Sequence, residues 1–123
     1  MSYVTYKLIH FLGIFTLITA LAVAAAHMLR GGSKADNPHR KAIAIAHGIA
    51  VFLILLGGFG MLARMGIMHG SLPGWIYLKI GIWLVLAASI ALVYRGREMA
   101  RALIWAVPLL AAAAGATALI KPF

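Results

Sequence analysis

The sequence predicts an all-α integral membrane protein: one domain, built as an antiparallel bundle of four transmembrane helices. Three observations predict it. Hydrophobic residues make up 64% of the 123 residues and charged residues 11%, where soluble domains carry about 45–50% and about 25%. That excess of apolar surface needs lipid as its solvent. The charged residues fall at the ends of apolar runs long enough to cross a bilayer core of about 20 helical residues. Turn-forming residues fall between the runs.

Between Lys7 and Arg30 lie 22 residues without a formal charge, and between Lys41 and Arg64 another 22. The expected helices cover about 3–30 and 40–66. The first run exceeds the 7–15 residues of a signal-peptide core, and its end at Arg30-Gly31-Gly32 lacks a small-x-small cleavage pattern, so it reads as a retained span. A third helix is expected over 74–95. It contains Lys79, about five residues from its start, near enough to the interface to snorkel. Between Arg101 and Lys121 lie 19 uncharged residues, giving a fourth helix over 99–120. Pro108 lacks an amide donor and is expected to bend it. Gly31-Gly32-Ser33 with Asn37-Pro38, then Gly70-Ser71-Leu72-Pro73-Gly74, then Arg95-Gly96-Arg97 supply three short loops, so neighbouring helices run antiparallel.

The net charge is +9 with no cysteine. Disulfides, iron–sulfur clusters and thiolate metal sites are therefore excluded, and the pattern names no metal site. Because the basic residues flank apolar runs, the partners expected are anionic lipid headgroups, not nucleic acid. Lys79, Arg64, Arg40 and Lys41 are the expected lipid contacts. Loops one and three hold seven basic residues and the opposite side four. That asymmetry places those loops in the cytoplasm and both termini on the periplasmic side of an inner membrane.

Small residues cluster on three helices: Ala20, Ala22 and Ala24 to Ala26; Gly57, Gly58 and Gly60; and the run 111–116. Lipid tails give no hydrophobic drive between helices, so such clusters mark close contacts, inside one bundle or with another subunit or copy. Gly58→Leu is thus expected to disturb the bundle more than Leu55→Ala. Tyr3, Tyr6, Trp75 and Tyr77 fit an interfacial belt, while Trp83 and Trp105 lie deeper and read as packing residues.

Polar groups in hydrocarbon need an explanation. On the first helix His10, Gly13, Leu17, Ala20, Ala24 and His27 form one stripe; on the second, His47, Ala50, Ile54, Gly57, Met61 and Arg64 do the same. Depth then pairs His27 with His47 toward the cytoplasm. It pairs His10 with Lys79 about 7–8 Å inside the outer face, at about 1.5 Å per residue, with Arg64 and His69 nearby. Each pair can be a structural hydrogen-bonding cluster or a haem b site, since two imidazoles on facing helices can ligate one iron. The only acids, Asp36 and Glu98, are expected in loops. That disfavours ion-coupled transport and leaves no acid–base pair for hydrolysis. Ser89, Ser71 and the threonines have no His–acid partnership for nucleophilic catalysis.

Several short motifs resemble SirB-like four-helix membrane proteins. They are Tyr6-Lys7-Leu8-Ile9-His10, Ala46-His47-Gly48, Gly57-Gly58-Phe59-Gly60 and Pro73-Gly74-Trp75-Ile76-Tyr77-Leu78-Lys79. A histidine on the first helix and a lysine on the third are also similar in layout to the haem-binding four-helix protoporphyrinogen oxidases. This second resemblance implies haem at His10 and Lys79. The function expected is a small non-catalytic inner-membrane protein, an accessory or structural subunit of a larger complex. The alternative is a b-type haem protein in electron transfer or porphyrin oxidation.

Overall fold

A computed structural model describes residues 2–66 and 72–121. It contains four α-helices: α1 (Tyr3–Leu29), α2 (Arg40–Arg64), α3 (Gly74–Val93) and α4 (Arg97–Ile120). Each is long and apolar enough to cross a membrane, and the four form a bundle. Every helix touches its chain neighbours, and α4 closes back on α1. Loops 1 and 3 lie at one end; Ser2, the end of α2, the start of α3 and Lys121 lie at the other. His69 and Ser71 fall outside the described residues.

Local chemistry sets the ends. The Ser2 hydroxyl accepts from the Thr5 amide and caps α1. The same helix closes on Gly31, at φ 91°. The Gly31 amide donates to Met28 O and the Gly32 amide to His27 O. This is a Schellman closure, and a left-handed residue at that position favours glycine. It turns loop 1 back over the end of α1. Helix α4 starts two residues earlier than expected, so Glu98 lies in its first turn and not in a loop. There a carboxylate meets the positive end of the helix dipole favourably. The helix continues through Pro108, which faces outward.

The tightest pair is α1 with α2, and two glycines explain it. A Cβ on Gly13 would sit 2.9 Å from the backbone oxygen of Ala50, and one on Gly57 would sit 2.6 Å from the backbone nitrogen of His10. Both approaches exist only because no side chain stands between the helices. The two stripes read from the sequence face this seam: Gly13, Leu17, Ala20 and Ala24 are buried, as are His47, Ala50, Ile54 and Gly57. The main core extends from this seam to Leu86, Val93, Ala100 and Val107 on the other two helices. A second, smaller cluster of Leu62, Trp75 and Ile76 lies at the terminal end.

Two aromatic assignments change. Trp75 is 6% exposed and belongs to that small cluster, not to an interfacial belt. Trp105 is 71% exposed and faces outward, because α4 turns Leu103 and Val107 inward instead. Trp83 is half-buried, and its Nε1 donates to Val51 O across the α2–α3 contact. Tyr3 and Tyr77 are exposed.

Candidate ligand cavity at the terminal end

Between the two core clusters all four helices line a half-open cavity of about 350 Å³. Pockets that hold organic ligands run from roughly 300 to 1,000 Å³ and are mostly apolar with a few placed polar groups. This one fits that description. Its walls are residues such as Ile14, Leu55, Trp83 and Leu86, and the α4 side is thinned by Ala111, Ala114, Gly115 and Ala118. Its polar lining residues include His10, Lys7, Lys79 and Lys121. The chain's two carboxylates, Asp36 and Glu98, both belong to the opposite end.

His10 is fixed by the seam. With Gly57 under its backbone, α1 approaches α2 closely enough for His10 Nδ1 to donate to Ile54 O at 2.8 Å. A carbonyl only accepts, so Nδ1 carries the proton and the neutral ring keeps a lone pair on Nε2. Nε2 has no hydrogen-bond partner among the described residues, and the ring lines the cavity. A metal-ligating histidine is held in just this way, its second nitrogen donating to a backbone carbonyl.

The amines are held differently. Lys7 Nζ lies 5.8 Å from the Phe11 ring centroid and 6.0 Å from that of Tyr3; Lys121 Nζ lies 5.6 Å over Trp75. Cation–π contacts of this kind orient an ammonium without neutralising it. Lys79 is half-buried on the first turns of α3, and the one ion pair among the described residues lies elsewhere. The cavity therefore gathers three like charges and no countercharge.

The structure brings His10 and Lys79 into one cavity. Arg64 is exposed at the end of α2 and does not line it. Leu55 lines the cavity instead of facing lipid, and a Cβ on Gly58 would meet only the His10 ring, at an ordinary 3.6 Å. Gly57, not Gly58, is the position that accepts no side chain.

His27 and His47 are not a pair. His27 Nε2 donates to Asp36 Oδ1 at 2.6 Å and to Ser33 O at 2.9 Å, clipping loop 1 onto α1. Asp36 Oδ1 also accepts from the Ser33 amide. These bonds to the carboxylate form, the Ser33 amide first and His27 second, hold the Asp36 carboxyl below its ordinary range. His47 is 2% exposed and faces Ser89 on α3, at 3.2 Å. Since the Ser89 hydroxyl donates to Leu86 O, it accepts from His47 Nε2. Both Nε2 atoms are thereby engaged within the protein. Arg40 donates to Ala35 O and so braces loop 1; Lys41 is exposed beside it.

Lys7, Lys121 and Trp75 join the site without having been singled out for it. The signal available in the sequence was that all three lie within about five residues of a span end on the same side as Lys79. No family model, curated protein or solved structure matches the chain.

Proposed function

We propose that this chain is a non-catalytic multi-pass protein of the inner membrane, with both termini on the periplasmic side, that serves as an accessory subunit of a larger membrane complex. The observation that carries this reading is the outer face of α4. Trp105 and Leu109 are 71% and 68% exposed, and Ala112, Ala113 and Ala116 are exposed along the same face. Small residues flanked by a large aromatic are what a second membrane helix packs against, and this bundle leaves them unused. In mild detergent the tagged chain is expected to purify with another membrane subunit. Ala112→Leu with Ala116→Leu should release that subunit while the bundle keeps its thermal stability. Purification of the parent alone, as a monomer, counts against the reading.

A second reading is favoured by the free Nε2 of His10. In it the terminal cavity holds haem b, and the chain acts in electron transfer or porphyrin oxidation. The residues fit that group: His10 would offer Nε2 to the iron, Lys79 would lie beside it, and Lys7 and Lys121 would face the propionates. When bound, haem supplies one-electron redox chemistry; the chain's part is to hold the ring and exclude water. The resemblance in layout to four-helix protoporphyrinogen oxidases rests on the same His10 and Lys79. A Soret band in the purified parent, lost in His10→Ala, supports this reading. A colourless parent from haem-replete cells removes it.

A further inference from the structure

The cavity has one property that the accessory-subunit reading leaves unused. Three lysines line it, and among the described residues none of their amines has an ion-pair partner. Lys7 lies near the start of α1, Lys79 on the first turns of α3, and Lys121 caps the end of α4. Helices of this length end at the headgroup level of a bilayer, so all three amines lie close to that level. Below them the cavity is walled by Ile14, Leu55, Trp83 and Leu86. A charged rim over an apolar shaft is complementary to an amphiphile with an anionic head and a hydrocarbon tail.

We propose that the terminal cavity is a binding site for an anionic phospholipid of the surrounding leaflet, one acyl chain inserted among the four helices and the phosphate held by Lys7, Lys79 and Lys121. Three features choose this occupant. The amines attract an anion, and the two acidic side chains, Asp36 and Glu98, lie at the far end. Two of the amines are already oriented, Lys121 over Trp75 and Lys7 against Phe11 and Tyr3, so less side-chain freedom is lost on binding. The small residues Ala111, Ala114 and Gly115 make room for a chain on the α4 side. His10 Nε2, an acceptor, faces the acyl region and gains nothing from this ligand; it is the one group in the cavity that haem would use and a lipid would not.

The site differs from ordinary snorkelling lysines in selecting a headgroup and in admitting a tail. Each amine near an anionic surface contributes on the order of 1 kcal/mol, about fivefold in affinity. The test uses the whole chain in nanodiscs, with Trp105→Phe so that only the cavity tryptophans Trp75 and Trp83 report. Phosphatidylglycerol brominated on its acyl chain is titrated against brominated phosphatidylcholine. The phosphatidylglycerol is expected to quench at a mole fraction many-fold lower. Lys79→Gln and Lys121→Gln should each lower that preference about fivefold. Arg40→Gln with Lys41→Gln, at the opposite end, should leave it unchanged. Should a lysine variant fail to fold, the parent's own preference still decides. Equal quenching by the two lipids overturns the proposal, as does a preference that survives loss of both lysines. A purified chain that carries stoichiometric haem and shows no quenching by either lipid also overturns it, and leaves the haem reading standing.

Discussion

The two ends of the bundle contain similar residue types and treat them in opposite ways. At the loop-1 end every polar group with a stake in the fold has found a partner. His27 holds Asp36 and Ser33 O; Asn37, 2% exposed, donates to the Tyr94 hydroxyl; His47 meets Ser89. At the terminal end His10 uses one nitrogen and keeps the other free, and three lysines share a cavity with no acid. Both ends have histidines on the same α1–α2 seam, so position on a helical stripe does not distinguish them. Satisfaction does. Buried polar groups that are paired within the chain stabilise it, whereas groups left with spare capacity around a cavity are where a ligand gains most.

The strongest way to break this comparison is at Gly57. At Gly57 the contact of α2 with α1 is backbone against the missing Cβ. Gly57→Leu should cost about 3 kcal/mol, the upper end of overpacking penalties. It should also pull His10 away from Ile54 O, freeing the ring. Leu12→Ala, which removes a side chain 59% exposed, should be close to neutral, because lipid replaces its contacts. Thermal unfolding in detergent ranks the two. Equal losses would mean that the seam is not what closes this end.

A middle-sized effect is expected at the other end. His47 and Ser89 are the buried link between α2 and α3. Removing Ser89 leaves His47 Nε2 without its partner, at about 1–3 kcal/mol, whereas Ser89 keeps its bond to Leu86 O when His47 is removed. A double-mutant cycle with His47→Phe and Ser89→Ala should return a coupling nearer 0.6 kcal/mol, the average for interhelical hydrogen bonds in membranes. No coupling would place His47 among spare groups and erase the contrast between the ends.

The bundle itself was legible because charge-free runs of about 20 residues have few other physical meanings. The inward stripes were legible too, since small residues and histidines recur at steps of three and four. Partnerships were not. Depth along the helices set His27 beside His47, but the Schellman closure at Gly31 folds loop 1 back and delivers Asp36 to His27 first. Depth also matched Lys79 with His10, but depth alone does not show that Lys7 and Lys121 line the same cavity. The tryptophans failed for a related reason. Burial of Trp75 depends on Lys121 and the small core cluster, which are remote in sequence, and exposure of Trp105 depends on which face α4 turns inward.

The smallest expected effect sharpens the comparison from its best-satisfied group. Asp36 is exposed, yet its carboxylate accepts the Ser33 amide and His27 Nε2, and this holds its pKa below the ordinary 3.8. The sign follows from proton linkage. A group whose pKa is lower folded than unfolded binds fewer protons in the folded state. Its stabilising contribution is therefore complete above the unfolded value and is lost as pH falls through the folded one. Between pH 5 and 8 Asp36 should add no pH dependence. Below about pH 4 the clip between α1 and loop 1 should weaken progressively. Asp36→Asn keeps the shape and an acceptor oxygen but cannot titrate, so its acid profile should flatten relative to the parent's. Carbon-13 NMR of the Asp36 carboxyl gives the midpoint directly, and unfolding curves from pH 2.5 to 7 give the linkage. A midpoint at or above 3.8, or identical acid profiles for parent and variant, would mean that this carboxylate is merely solvated. The loop-1 end would then be less completely paired than its geometry implies.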